Sequence, residues 1–253
     1  SPALVGVLVA AGAGTWPVGA MAVASFLGGL AALGLPRQSL LLASDQAEGA
    51  PKQRSGGRLW QFWPSLAQDG AAMFTLGAAS VALPALLMAM GSGAALPGLI
   101  LGAASAVGVL GGLVYGSRRW PRQRAHATGL LLVYCVLVGG VGLVSVLNEA
   151  YLVGAFFVAA GSIQVPVLMS RALVVQEQVP PQDWSFAFSS LYAAKGIGYG
   201  AAGLVAGAAI SAVGPTWAII TCAAVALVVA LVAGVCDLFR SRTRSHPDQP
   251  RNP

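Results

Sequence analysis

Lys195 stands inside an apolar stretch, and the residues at helical spacing around it are Phe188, Tyr192 and Tyr199. Spaced at i, i+4, i+7 and i+11, the four share one helix face. An ammonium between two tyrosines can be held by their rings and hydroxyls, or can meet an anionic substrate. The structural alternative is a lysine that snorkels toward the nearer surface or pairs with a carbonyl. Its place in the stretch from Ser185 to Ala212 puts Lys195 ~15 Å deep if that stretch crosses a bilayer. A central lysine facing lipid costs roughly 2.5–3.5 kcal/mol, so a cavity inside a helix bundle is the expected place for it. Ser162 and Gln164 form a second polar pair, beside Pro166 in another apolar stretch. Proline removes a helical hydrogen bond and can kink or unwind the helix, as Pro84 can in its own stretch. Gln164 either satisfies the freed backbone or lines the cavity.

The other candidates are structural. Gly196, Gly200, Gly203 and Gly207 fall on a second face of the Lys195 helix, about 100° from the lysine. Their Gly-x-x-x-Gly spacing predicts a seam where two helices approach closely. Gly196-Ile197-Gly198-Tyr199-Gly200 imitates a dinucleotide loop, but it follows no strand and lies in an apolar span. Arg171 is expected to snorkel to a membrane boundary and pair with Glu177. Asp69 reads as a helix-start residue that favours the helix dipole, and Glu149 as the cap of a turn. On this reading no acid lies deep enough to carry protons. Cys135, Cys222 and Cys236 have no metal or disulfide spacing, and His126 and His246 sit beside basic clusters as solvated loop residues. No catalytic constellation, metal site or cofactor motif emerges, so an enzyme is not expected.

The elements that must position these residues are membrane spans. Apolar residues make up 57% of the chain and charged residues 9%, too few charges to clothe a soluble domain, where roughly 25% is usual. The net charge of +6 does not point to nucleic acid, because the bases flank apolar spans instead of forming a stripe with aromatics. Lipid headgroups are the expected anionic partner. Of the 14 Lys and Arg residues, all but Arg171 and Lys195 lie in three stretches, at 37–58, 118–124 and 240–251. Apolar spans separate these stretches, and about twenty apolar residues suffice to cross a bilayer. Positive charge is retained on the cytoplasmic side, so the basic loops and the C-terminal tail are placed there. The 176–184 loop falls on the same side and carries no base.

The walk along the chain yields a short first apolar segment that reads as a truncated helix, then a full span from Trp16 to Leu35. Residues 36–68 follow as a polar cytoplasmic loop. Within it Leu59, Trp60, Phe62, Trp63 and Leu66 predict a short helix lying on the membrane surface. Six spans occupy 69–239: about 70–90, 96–116, 127–147, 151–175, 185–212 and 216–238. A basic tail covers 240–253. Short outer connections predict that successive helices are antiparallel neighbours. The expected fold is an all-α polytopic membrane protein.

This pattern resembles the C-terminal half of a major facilitator superfamily transporter of the actinobacterial type. Ser1-Pro2-Ala3-Leu4-Val5-Gly6 is similar to the end of the Gly-Pro motif of drug/proton antiporters, although Ser1 and Val5 replace glycines of that motif. Gly112-Leu113-Val114-Tyr115-Gly116-Ser117-Arg118-Arg119 looks like the second-half copy of the superfamily's loop motif, without its usual acid. The resemblance implies a six-helix half-bundle preceded by the last one or two helices of a missing N-terminal half. It implies that the spans starting near 70, 96, 151 and 185 line the cavity, and that those near 127 and 216 face lipid. The implied function is transport of a small organic molecule across the cell membrane by alternating access, with efflux preferred. A scaffold or sensor built on the same fold is the alternative, supported by the degenerate loop motif and the apparent lack of a deep carboxylate.

Overall fold

The computed structural model describes residues 56–118, 120 and 123–244, and these residues are helical apart from short links. The long helices are α1 (Gly56–Ala89), α2 (Ala95–Gly116), α3 (Gln123–Val144), α4 (Ala150–Gln178), α5 (Trp184–Val213) and α6 (Pro215–Arg244). All 6 are long and apolar enough to cross a membrane. The expected helices before residue 36, the 36–55 part of the loop and the end of the tail lie outside the described residues. Two boundaries move. Residues 56–68, expected as loop and surface helix, are the first turns of α1, and the basic tail continues α6 as far as Arg244.

The links follow from local chemistry. Gly214 closes α5 at φ 84°, where a side chain would be strained, and Pro215 opens α6 at a position that needs no N–H. Asn148, at φ 56°, ends the single 3₁₀ turn Ser145–Leu147 that extends α3. Pro180 follows an extended Val179 and stops α4. Two indoles brace links on one end of the bundle: Trp120 Nε1 donates to the Tyr115 carbonyl at 3.0 Å, and Trp184 Nε1 to the Val179 carbonyl at 2.9 Å. Trp120 also stacks with Tyr115 and with His126, ring centroids 5.1 and 4.5 Å away, and those two rings lie 5.8 Å from each other. His126 is therefore not a solvated loop residue. It is half-buried in α3, and its Nε2 is buried without a hydrogen-bond partner among the described residues.

Neighbours in sequence are not always neighbours in space. α3 packs on α4 and α5 on α6, as short links predict, but α1 and α2 touch only sparsely. The most extensive interfaces join helices that run in the same direction: α1 with α5, and α2 with α4. α1 also packs on α6, α4 on α3, and α3 on α6. The arrangement has a pseudo-two-fold order. Exchanging α1, α2 and α3 for α4, α5 and α6 maps α1·α5 onto α4·α2 and α1·α6 onto α4·α3. Since two spans lie between equivalent helices, the two triplets have opposite directions.

The core between them is built from small residues: Ala71, Ala72, Ala79 and Ala82 of α1 meet Leu131, Tyr134 and Cys135 of α3, Ala160 of α4, and Ala223, Ala226 and Ala230 of α6. Lipid is as apolar as these side chains, so close packing rather than hydrophobic burial holds such helices together.

Candidate functional site

Charge is concentrated around the part of α1 that carries Asp69, with Arg171 of α4 and Lys195 of α5 near it. Asp69 is 0% exposed and Arg171 2%, although both lie within membrane-length helices. The Arg171 guanidinium donates from one terminal nitrogen to Gln68 Oε1 and from the other to the Ser65 carbonyl at 3.0 Å. Gln68 in turn accepts from Thr128 Oγ1 at 3.4 Å and donates to the Ala230 carbonyl at 3.5 Å. One glutamine thus ties α1 to α3, α4 and α6. Among the described residues, Arg171 Nε and both Asp69 oxygens are buried without hydrogen-bond partners. Asp69 lies close enough to Arg171 and Lys195 to feel both charges, and Arg171 likewise feels Asp237 of α6.

These positions correct three expectations. Arg171 does not snorkel to pair with Glu177; it reaches inward to α1, and Glu177 is exposed. Asp69 is not at a helix start, because α1 begins at Gly56 and carries the carboxylate into the core. An acid is therefore buried inside the bundle after all. Glu149 holds the N-cap position of α4, but its side chain makes no capping bond. The cluster was legible as a polar run, Ser65, Gln68 and Asp69, at helical spacing. It was missed because a run bordering a polar segment looks like a boundary.

Lys195 is half-buried, and its Nζ lies over the Tyr192 ring at 5.1 Å from the centroid. The helical period puts Lys195 within the face of α5 that packs on α1, among Leu191, Gly198 and Ala202. Tyr192 and Tyr199 are at the edge of that face, 68% and 46% exposed. Tyr199 reaches α1, its hydroxyl 3.4 Å from Ser80 Oγ. Gln164 and Ser162 are not brought to this group. Both are half-buried on α4, which meets α5 only sparsely, and the Ser162 hydroxyl bonds back to the Ala159 carbonyl at 2.6 Å.

The glycine seam of α5 is also placed differently. A Cβ at Gly196, Gly200, Gly203 or Gly207 would meet nothing within 4 Å among the described residues. The face in use carries Gly198, Ala202 and Ala206. A Cβ on Gly198 would come 2.2 Å from the Gly70 carbonyl oxygen, and one on Gly77 would come 2.8 Å from Ala202 Cβ. The α2–α4 interface is built alike: a Cβ on Gly161 would come 2.6 Å from the Ala104 oxygen, and one on Gly108 2.9 Å from the Gly161 oxygen. Pro166 has no N–H for the Ser162 carbonyl, and a Cβ on Gly111 would lie 2.0 Å from that oxygen. The freed carbonyl is thus covered by the α2 backbone rather than by Gln164.

A repeat joins the two interfaces. α1 carries Gly70-Ala71, then Gly77, then Ser80-Val81-Ala82-Leu83-Pro84; α4 carries Gly154-Ala155, then Gly161-Ser162-Ile163-Gln164-Val165-Pro166. The two helices thus share Gly-Ala-x₅-Gly followed by Ser-x₃-Pro, in equivalent places of the two triplets. Comparison of the chain with family models, curated proteins and solved structures gives no match.

Proposed function

We propose that this chain is a half-bundle of a secondary transporter, similar to the second half of major facilitator superfamily proteins, which moves a small organic molecule by alternating access. The observation that carries the reading is the inverted pair of triplets, with the same glycine and Ser-x₃-Pro pattern in α1 and α4. Inverted repeats with interrupted helices at their interface are a recurring way to build a site that opens to either side of a membrane. The two proline-containing helices can bend at the bonds proline leaves unmade. Seams of glycine and alanine let parallel helices shift without disengaging large side chains. Lys195, Tyr192 and Tyr199 supply a cation and two aromatic faces to a substrate on the α5 side, and Ser162 and Gln164 supply polar groups on the α4 side. A second half-bundle would complete the path across α2 and α5. The charge bias favours the plasma membrane with the C-terminus cytoplasmic, and the antiporter-like opening favours efflux.

Counterflow into proteoliposomes containing this half-bundle together with the half that completes it tests this against a panel of small organic compounds. Exchange of at least one compound is expected, falling at least tenfold in Lys195→Met. A well-folded protein that exchanges none of them would instead favour the scaffold or sensor reading. Unchanged transport and substrate range in Lys195→Met would remove that residue from the path.

A further inference from the structure

The backbones of α1 and α5 touch beside two opposite charges. A Cβ on Gly70 would lie 3.5 Å from the Ala194 carbonyl oxygen, and one on Gly198 2.2 Å from the Gly70 oxygen. Asp69 and Lys195 adjoin this crossing in sequence, one on each helix. The lysine stem starts on the α1-facing side of α5, yet its ammonium rests over Tyr192, at the exposed edge. Asp69 meanwhile has two buried oxygens and no donor among the described residues. Arg171, the other nearby cation, has both terminal nitrogens engaged by Gln68 and Ser65. Its Nε is unpartnered among the described residues, but the guanidinium is fixed in place by those two bonds, so Lys195 is the nearby cation that can move to the carboxylate.

We propose that Asp69 and Lys195 form a proton-gated ion pair: the ammonium leaves the Tyr192 ring for the carboxylate when Asp69 is ionised, and returns to the ring when Asp69 takes up a proton. The step balances simply. One proton from water adds to the Asp69 carboxylate, and no other covalent bond changes. Two opposing effects make the exchange possible. An ionised carboxylate without donors is costly in a buried site, whereas a cation brought alongside it offsets that cost. The charged groups around Asp69 are Arg171 from α4 and Lys195 from α5, with Asp237 of α6 beyond Arg171. α3 contributes the neutral Thr128 through Gln68. Among the described residues no group of three or more His, Cys, Asp or Glu side chains gathers here to hold a metal ion, and the ligand proposed for the lone carboxylate is a proton. The proposal deepens the transporter reading by giving it a coupling ion, but the exchange needs no substrate.

The chain has two lysines, Lys52 and Lys195, so Lys52→Arg leaves Lys195 as the sole lysine. Its ¹³C-dimethylated side chain, in the full chain in lipid nanodiscs, reports the ring current of Tyr192 by NMR. The expected result is a pH-dependent step in this signal. The step should vanish in Asp69→Asn, with the signal left at its ring-shifted position, and Tyr192→Leu should abolish the ring shift. In Asp69→Glu, which keeps an acid if the asparagine variant does not fold, the step should survive with a displaced midpoint. A signal flat with pH, a step unchanged in Asp69→Asn, or an undisplaced midpoint in Asp69→Glu overturns the pair. A step without transport of any compound would keep the pair and sink the transporter reading; transport without a step would do the reverse.

Discussion

Arg171 shows how a single side chain can hold a membrane bundle together. It is buried, spends both terminal nitrogens on α1, and shares Gln68 with α3 and α6. Breaking such a cluster by removing one partner leaves the others buried and unpaired, which costs about 3 kcal/mol or more. Arg171→Leu is therefore expected to lower thermal stability in detergent by about that amount. The double variant Asp69→Asn, Arg171→Gln should recover part of the loss, since it removes the charges together. Equal losses in the single and double variants would show that the two residues do not act as a unit. Gln68→Leu removes three hydrogen bonds and should cost about 1–3 kcal/mol, read in the same unfolding measurement.

At the scale of elements, the parallel pairs α1·α5 and α2·α4 depend on positions where a methyl group has no room. Overpacking a tight interface costs roughly 1–3 kcal/mol. Gly198→Ala and Gly111→Ala should fall in that range, because each new Cβ would meet a backbone carbonyl across the interface. Gly200→Ala, on the open face, should be neutral or slightly stabilising, since alanine favours helix over glycine. Melting temperatures of the three variants in one detergent decide the matter. Equal effects at Gly198 and Gly200 would contradict the packing of α5. The sequence shows both Gly-x-x-x-Gly pairs and the competing Gly198-x₃-Ala202-x₃-Ala206 row, and helical spacing alone ranks neither.

For the whole molecule, six alternating spans put the start of α1 and the start of α3 on one side and the α3–α4 link on the other. With the native cysteines replaced, an impermeant thiol reagent added outside cells should label Asn148→Cys and spare Gly56→Cys and Gln123→Cys. The reversed pattern would invert the orientation inferred from the basic loops, and labelling of all three would break the six-span topology. The spans themselves were legible in the sequence to within a few residues, apart from the start of α1 and the end of α6. The pairing of triplets was legible only in part. Its trace, Gly-Ala-x₅-Gly with Ser-x₃-Pro in α1 and α4, is short and interrupted differently in the two copies, and it becomes meaningful once both helices hold equivalent places.

Hydropathy, charge and punctuation by Gly, Pro and Asn determined by themselves that this chain is a set of apolar helices with short links. Those signals report on the medium around a helix and on local backbone geometry, which neighbouring residues specify. They also singled out Lys195, since a lone cation in an apolar span is visible without a fold. Tertiary structure decided which face of each helix meets which partner, and so turned Asp69 and Arg171 from boundary residues into a buried cluster. The physical reason is that burial of a polar side chain depends on helices far apart in sequence. Here α1 must continue past its polar border and receive α4, α5 and α6 around it before the carboxylate is cut off from water.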